Sequence, residues 1–149
     1  MSHLIVVSSD AMVGEDLAYF KTLSSYRKCF QGGAEITNVS SIYPSVTFPA
    51  HATMITGMYP EHHGIFSNMQ LIPGSEPTPW QWDYDFLRCT DIFRAAKATG
   101  KTTAAVFWPV TAKNPAIDYH IADYWAQGGT DTTLQAFART GSTPEVLEI

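Results

Sequence analysis

Two residues stand where chemistry is common, Asp10 and Thr47. Asp10 follows the apolar run Leu4-Ile5-Val6-Val7 and the pair Ser8-Ser9. Thr47 stands just before Pro49 and a helix-like stretch over 50–56 that Gly57 closes. In open α/β sheets ligands gather at the carboxyl ends of strands, and a carboxylate there can hold a cation. A helix start presents N–H groups without intrahelical partners, which suit an anion, phosphate above all. Both residues also have ordinary uses. An Asp after a strand closes turns or caps helices, and a Thr before Pro-Ala serves as an N-cap.

The elements that must hold them alternate between strand and helix. Residues 4–7 form a short continuous apolar run rich in β-branched side chains, which suits a strand buried on both faces. Leu17, Phe20, Leu23, Tyr26 and Phe30 then recur at helical spacing until Gly32-Gly33. Residues 34–39 read as a second strand. Residues 58–68 read as loop and short strand, and 71–85, with Pro73, Gly74, Pro77 and Pro79, as an irregular excursion. A helix is expected over 92–98, stopped by Gly100, then a third buried strand over 102–107. Residues 117–125 are mixed, 132–138 read as a short helix, and 140–149 show no pattern. The fold class is α/β with a mostly parallel sheet.

Composition limits the function. The chain has 149 residues, 45% hydrophobic and 15% charged, enough apolar content for a core. Its formal charge of −5 argues against a nucleic-acid polymer as partner, since that needs a basic face. No apolar run approaches the ~20 residues of a membrane span. Cys29 and Cys89 are too few for a disulfide scaffold and are read as reduced thiols, with one disulfide as the alternative. The apolar run near Met1 is too short for a signal peptide and lacks a basic start, so a cytoplasmic chain is expected.

The residues around Thr47 carry more. The stretch Pro44-Ser45-Val46-Thr47-Phe48-Pro49-Ala50-His51-Ala52-Thr53, followed by Thr56-Gly57-Met58-Tyr59-Pro60-Glu61-His62-His63-Gly64-Ile65, is long and contiguous. It resembles the nucleophile segment of the type I phosphodiesterase/nucleotide pyrophosphatase family, in the alkaline phosphatase superfamily. Asp10 falls at that family's first metal-binding aspartate, and Asn68 at a phosphate-contacting asparagine. Val106-Phe107-Trp108-Pro109 and Ile117-Asp118-Tyr119 look like later family segments, so the resemblance covers most of residues 3–125. It implies an alkaline-phosphatase-like three-layer fold, a two-zinc site and a threonine nucleophile. Thr47 would attack phosphorus in line and form a covalent phosphothreonine, which water then releases. Metal coordination and the helix start would make its hydroxyl a competent nucleophile. Asp10 and Thr47 would be metal ligands. Asn68 would donate to a non-bridging phosphoryl oxygen. Phe48 would stack a base or pack another leaving group, or else serve as a core residue.

Other histidines do not join this set. His51 lies on the helix one turn past Thr47, and the adjacent His62 and His63 would point to opposite faces of an extended chain. All three are read as scaffold. His3 and His120 show no partner in sequence, and Tyr119 aligns only loosely with a base-contacting position.

The family site has six protein metal ligands beyond the nucleophile, of which only Asp10 is recognised here. The later Asp-x-x-x-His and Asp-His-Gly segments are absent, and no histidine follows Trp125. The expectation is that residues 1–149 are the N-terminal part of such a domain, with a partial or empty metal site. An exposed sheet edge would then favour self-association. The substrate would be a small phosphodiester or nucleotide. The alternatives are a phosphate-binding fragment without turnover, or a phosphomonoesterase or phosphonate hydrolase of the same superfamily. A sulfatase would need Cys/Ser-x-Pro-x-Arg, which Thr47-Phe48-Pro49-Ala50-His51 does not match.

Overall fold

The computed structural model describes residues 3–76, 78–126, 129 and 131–148. It divides into two units, one up to Ser40 and one from Ser41 onward.

Among the described residues of the first unit the expected strands do not form. Residues 4–7 join no ladder and are 60–83% exposed. Residues 34–39 are likewise unpaired, with Ile36 and Val39 exposed. Composition sets a preference for extended backbone, but a strand exists only through hydrogen bonds to a neighbour. The single helix expected before Gly32 is two, α1 (Gly14–Phe20) and α2 (Ser24–Phe30). Thr22 breaks it: its N–H and its hydroxyl both donate to Tyr19 O, at 2.9 and 2.7 Å. Such local side-chain bonds compete with helix continuation. Asp16 takes the Val13 N–H at 2.9 Å and closes the start of α1.

The second unit runs α3 (Thr47–Thr56), α4 (Pro60–His63), a 3-10 turn (Tyr84–Phe86), α5 (Ile92–Ala98), β1 (Ala104–Val106), β2 (Tyr119–Ile121), α6 (Thr133–Arg139) and α7 (Pro144–Leu147). The short α4 replaces the loop and strand expected there. Pro60 at its first position lacks only an N–H that would be unbonded anyway, and Gly64 ends it at φ +83°. α5 spans the expected residues. Its cap, Asp91, is 1% exposed and accepts from Arg94 N–H (2.9 Å) and Asn114 Nδ2 (3.1 Å). β1 falls inside the expected third strand and pairs in parallel with β2, Ala105 opposite His120. Only one of its faces is buried: Ala105 is covered while Val106 is 59% exposed. Among the described residues the sheet has these two strands.

The core of this unit is Phe48, Ala52, Ile65 and Val110, with Trp80, Trp82, Phe86 and Leu87 packed against it. Val110 holds φ +58°, costly for a β-branched residue, and its 1% exposure shows how packing enforces it. Among the described residues no helix is long and apolar enough to cross a membrane. Cys29 is exposed, Cys89 is half-buried, and neither is in a disulfide.

Two buried histidines tie the unit's stability to pH. His63 is fully buried; its Nδ1 accepts from Ile65 N–H (3.1 Å), so Nε2 carries the proton and donates to Thr53 Oγ1 (3.0 Å). His120 is 2% exposed, its Nε2 3.0 Å from Thr111 Oγ1. Burial pushes both imidazoles below their ordinary pKa; for His120 a Gly141 backbone bond partly opposes this. The unfolded chain therefore protonates first as pH falls through about 6.5. Stability is full above that value and declines on acidification until the folded-state pKa is reached. Urea unfolding at pH 7.5, 6.0 and 5.0 should show this loss, and His63→Gln should reduce its slope by at most about 1.4 kcal/mol per pH unit. A slope unchanged by that substitution would remove His63 from the account.

Candidate functional site

The site is built on the start of α3. Val46 is extended (φ −99°, ψ 164°) and has no side-chain acceptor for the first turn. Asn68, from the loop after α4, fills that gap: its Oδ1 accepts the Phe48 N–H at 2.8 Å. Pro49 has no N–H, and the Ala50 N–H donates to Val46 O at 3.1 Å. The row of open N–H groups expected from the sequence is thus mostly occupied. The reason is local: a proline at the third position and an asparagine that caps from 20 residues away.

Thr47 is half-buried at the first position of α3. Its carbonyl accepts from His51 Nδ1 at 2.8 Å. His51 is 6% exposed, lies edge-on to Trp108 (5.2 Å), and has its own carbonyl bonded by Trp108 Nε1 at 3.3 Å. This histidine braces the backbone of Thr47, as a scaffold residue would. His62 is exposed beside Glu61.

Phe48 points inward. It is 2% exposed, with Trp80 and Trp82 edge-on at 5.3 and 5.9 Å. A ring so covered has no face for a base. Trp80 stacks on Trp82 (5.4 Å), Trp125 meets both edge-on (4.9 and 4.4 Å), and Tyr124 lies 4.7 Å from Trp82. Sequence reasoning passed over this cluster. The available signal was Trp80-Gln81-Trp82, whose two indoles share one face of an extended chain.

Asn68 is half-buried and its amide orientation follows from chemistry. An N–H needs an acceptor, so Oδ1 turns to Phe48 and the NH2 is left as a donor. Thr47, Phe48 and Asn68 are therefore brought together. Asp10 lies in the first unit, exposed, at a turn where its Oδ1 accepts the Ala11 N–H (3.1 Å). Tyr119 is half exposed in β2. Its neighbour Asp118 is held below the usual carboxylate range by the Lys97 ammonium and the Thr103 N–H, a structural tie that joins α5 to the residues just before β1 and β2. Among the described residues no three His, Cys, Asp or Glu side chains converge to hold a metal ion.

Comparison with known proteins adds the following. A family model described as type I phosphodiesterase / nucleotide pyrophosphatase matches residues 4–146. The chain is 32% identical over 92 residues to the Homo sapiens ectonucleotide pyrophosphatase/phosphodiesterase family member 1, covering 58% of this chain and 10% of that one. A Caenorhabditis elegans ectonucleotide pyrophosphatase/phosphodiesterase is 33% identical over 112 residues (70% and 15%). The Xenopus laevis bis(5'-adenosyl)-triphosphatase is 26% identical over 113 residues (71% and 24%). The chain thus spans a quarter or less of the length of these curated relatives. Among solved structures, murine ectonucleotide pyrophosphatase/phosphodiesterase 5 superimposes with a TM-score of 0.51 at 19% identity, over 75% of this chain and 31% of that one. An inactive variant of it in complex with AMP gives 0.54 at 19% identity, over 80% and 33%. The α/β fold is shared with those structures over that stretch.

Proposed function

Since the chain belongs to the type I phosphodiesterase / nucleotide pyrophosphatase family, we propose that it carries the nucleophile half of a metal-dependent hydrolase of phosphodiester or nucleotide pyrophosphate bonds. The observation that carries the reading is the Phe48 N–H to Asn68 Oδ1 bond, which sets an amide donor beside the start of α3. In this reading Thr47 Oγ gives its proton up to solvent and attacks phosphorus, as the leaving oxygen departs with its bonding pair and takes a proton from water. The product is a covalent phosphothreonine, and water then cleaves the new P–O bond. The Asn68 NH2 donates to a non-bridging oxygen as charge builds there. His51 and Trp108 hold the Thr47 backbone so that the hydroxyl keeps one position.

Two zinc ions belong to the proposal, with Asp10 and Thr47 as this chain's ligands. These two oxygens fall short of the three protein ligands of a catalytic zinc, so this donor set does not make a metal site by itself. The remaining ligands are proposed to come from outside residues 1–149. Small nucleotides are the proposed substrate class. In support, the murine relative is described with AMP and the frog relative is named for a bis-adenosyl triphosphate. Phosphate binding without turnover has less support, because the first turn of α3 has little backbone N–H left to offer. The cytoplasmic setting stays a proposal, since the relatives are named as ecto-enzymes.

Hydrolysis of bis(p-nitrophenyl) phosphate with added zinc tests the reading, followed by mass analysis of the quenched protein for an adduct on the Thr47 peptide. Turnover with no adduct, and undiminished in a Thr47→Ala control, would sink it. No turnover by this chain alone is the expected result for a nucleophile half. The Thr47 comparison is then made in protein that includes the metal-binding part.

The exposed apolar residues 4–7 carry one more expectation, self-association of the isolated chain. Sedimentation velocity should show species larger than 16.4 kDa, and a single monomer across tenfold dilution would count against it.

A further inference from the structure

We propose that Gln81 is the positioning residue of Asn68, an inference that rests on the reading of Asn68 as the phosphoryl-oxygen donor. Gln81 holds three successive carbonyls of the Asn68 loop. Its Nε2 donates to Ser67 O (2.7 Å) and Met69 O (3.2 Å), and its backbone N–H donates to Asn68 O (2.9 Å). The next bonds on the same seam are Gln70 N–H to Pro79 O (2.8 Å) and the antiparallel bridge between Met69 and Trp80. The peptide planes on both sides of Asn68 are thereby fixed. With the backbone set, Asn68 Oδ1 meets the Phe48 N–H and its NH2 keeps a constant direction. Trp80 and Trp82, flanking Gln81, pack on Phe48. The seam and the start of α3 are thus joined twice, by the indole rings and by the amide chain.

The chemistry of Gln81 is specific. Both carbonyls it serves need a donor, and only the NH2 of the amide supplies one. A carboxylate of the same shape would face two carbonyl oxygens and repel them. A side chain without polar atoms would leave the loop tied by the main-chain bond alone. A donor held within about 0.5 Å by neighbouring bonds is what an electrostatic contact at phosphorus requires.

Hydrogen exchange by NMR on the ¹⁵N-labelled full chain tests this without needing turnover. Four proteins are compared: the parent, Gln81→Met, Asn68→Ala and the double variant. The Phe48 amide should exchange at least about tenfold faster in each single variant. In the Asn68→Ala background Gln81→Met should add less than about twofold, because the Phe48 bond it supports is already gone. The Gly57 amide, bonded to Thr53 O at 2.8 Å at the far end of α3, should be unchanged and so reports that the unit remains folded. Gln81→Glu should match or exceed Gln81→Met. Unchanged Phe48 exchange in Gln81→Met would overturn the proposal. So would acceleration by the same factor with and without Asn68, since that is a general loosening. If the unit does not fold in Gln81→Met, the same comparison made with Gln81→Glu decides. Failure of the underlying functional reading shows elsewhere, as turnover that survives Thr47→Ala.

Discussion

Thr47→Ala should lower turnover of bis(p-nitrophenyl) phosphate at least about 10³-fold in protein with its metal centre complete, while leaving stability nearly unchanged. Removing the attacking atom removes the covalent route, and a thousandfold loss is about 4 kcal/mol in barrier height. The fold has little stake in the change. Thr47 occupies the first position of α3, Val46 is the cap residue, and alanine is a good helix former. The unfolding free energy should shift by no more than about 0.5 kcal/mol. Thr47→Ser keeps the oxygen and should retain measurable turnover, because the change removes only a methyl group. A Thr47→Ala protein within tenfold of the parent would place the nucleophile elsewhere.

Phe48→Ala should produce the largest loss of stability of any single change near the site, about 3–5 kcal/mol. The ring is 2% exposed and lies in the core with Ala52, Ile65 and Val110, edge-on to two indoles. Truncation loses its burial and leaves a cavity that α3 and the tryptophan seam cannot close together. Trp80, Trp82, Trp108 and Trp125 are all the tryptophans of the chain, and all lie in the unit from Ser41 onward. Urea unfolding followed by indole fluorescence therefore reports on that unit. Phe48→Leu should cost less, because most of the volume remains. A loss under about 1 kcal/mol for Phe48→Ala, joined to weaker nucleotide binding, would restore the base-stacking role and remove the core one. The two substitutions separate adjacent positions, the proposed nucleophile Thr47 and the buried core ring of Phe48.

Much of the second unit was legible because its signals are local. Pro49 and Gly57 bracket α3, with Gly57 at φ +66° taking the left-handed conformation that ends a helix. Gly100, at φ +73°, likewise follows the end of α5 where the sequence placed its stop. The β-branched and small residues over 102–107 contain β1, and its parallel pairing with β2 matches the α/β pattern. The first unit departs from its sequence signals for a physical reason. Residues 4–7 and 34–39 have strand composition, and composition cannot supply the neighbour that a ladder needs. The scaffold reading of His51 and His63 agrees with their burial and bonds, but nothing in the sequence named Thr53 or Ile65 as partners of His63.

The sequence by itself determined the family of this protein and the residues on which its proposed chemistry rests. It placed a threonine ahead of Pro49 in a contiguous pattern specific enough to identify the family, and put Asn68 just past the end of that pattern. Only the tertiary structure decided how those groups are used. It turned Phe48 into the core and used up most of the N–H groups at the start of α3. It also oriented Asn68 through Gln81, 13 positions further along. Local preference acts over a turn or two of chain, and residue types announce what a side chain is able to donate, accept or attack. Which donor meets which acceptor across a fold depends on how distant segments pack and on the cost of leaving a buried polar group unbonded.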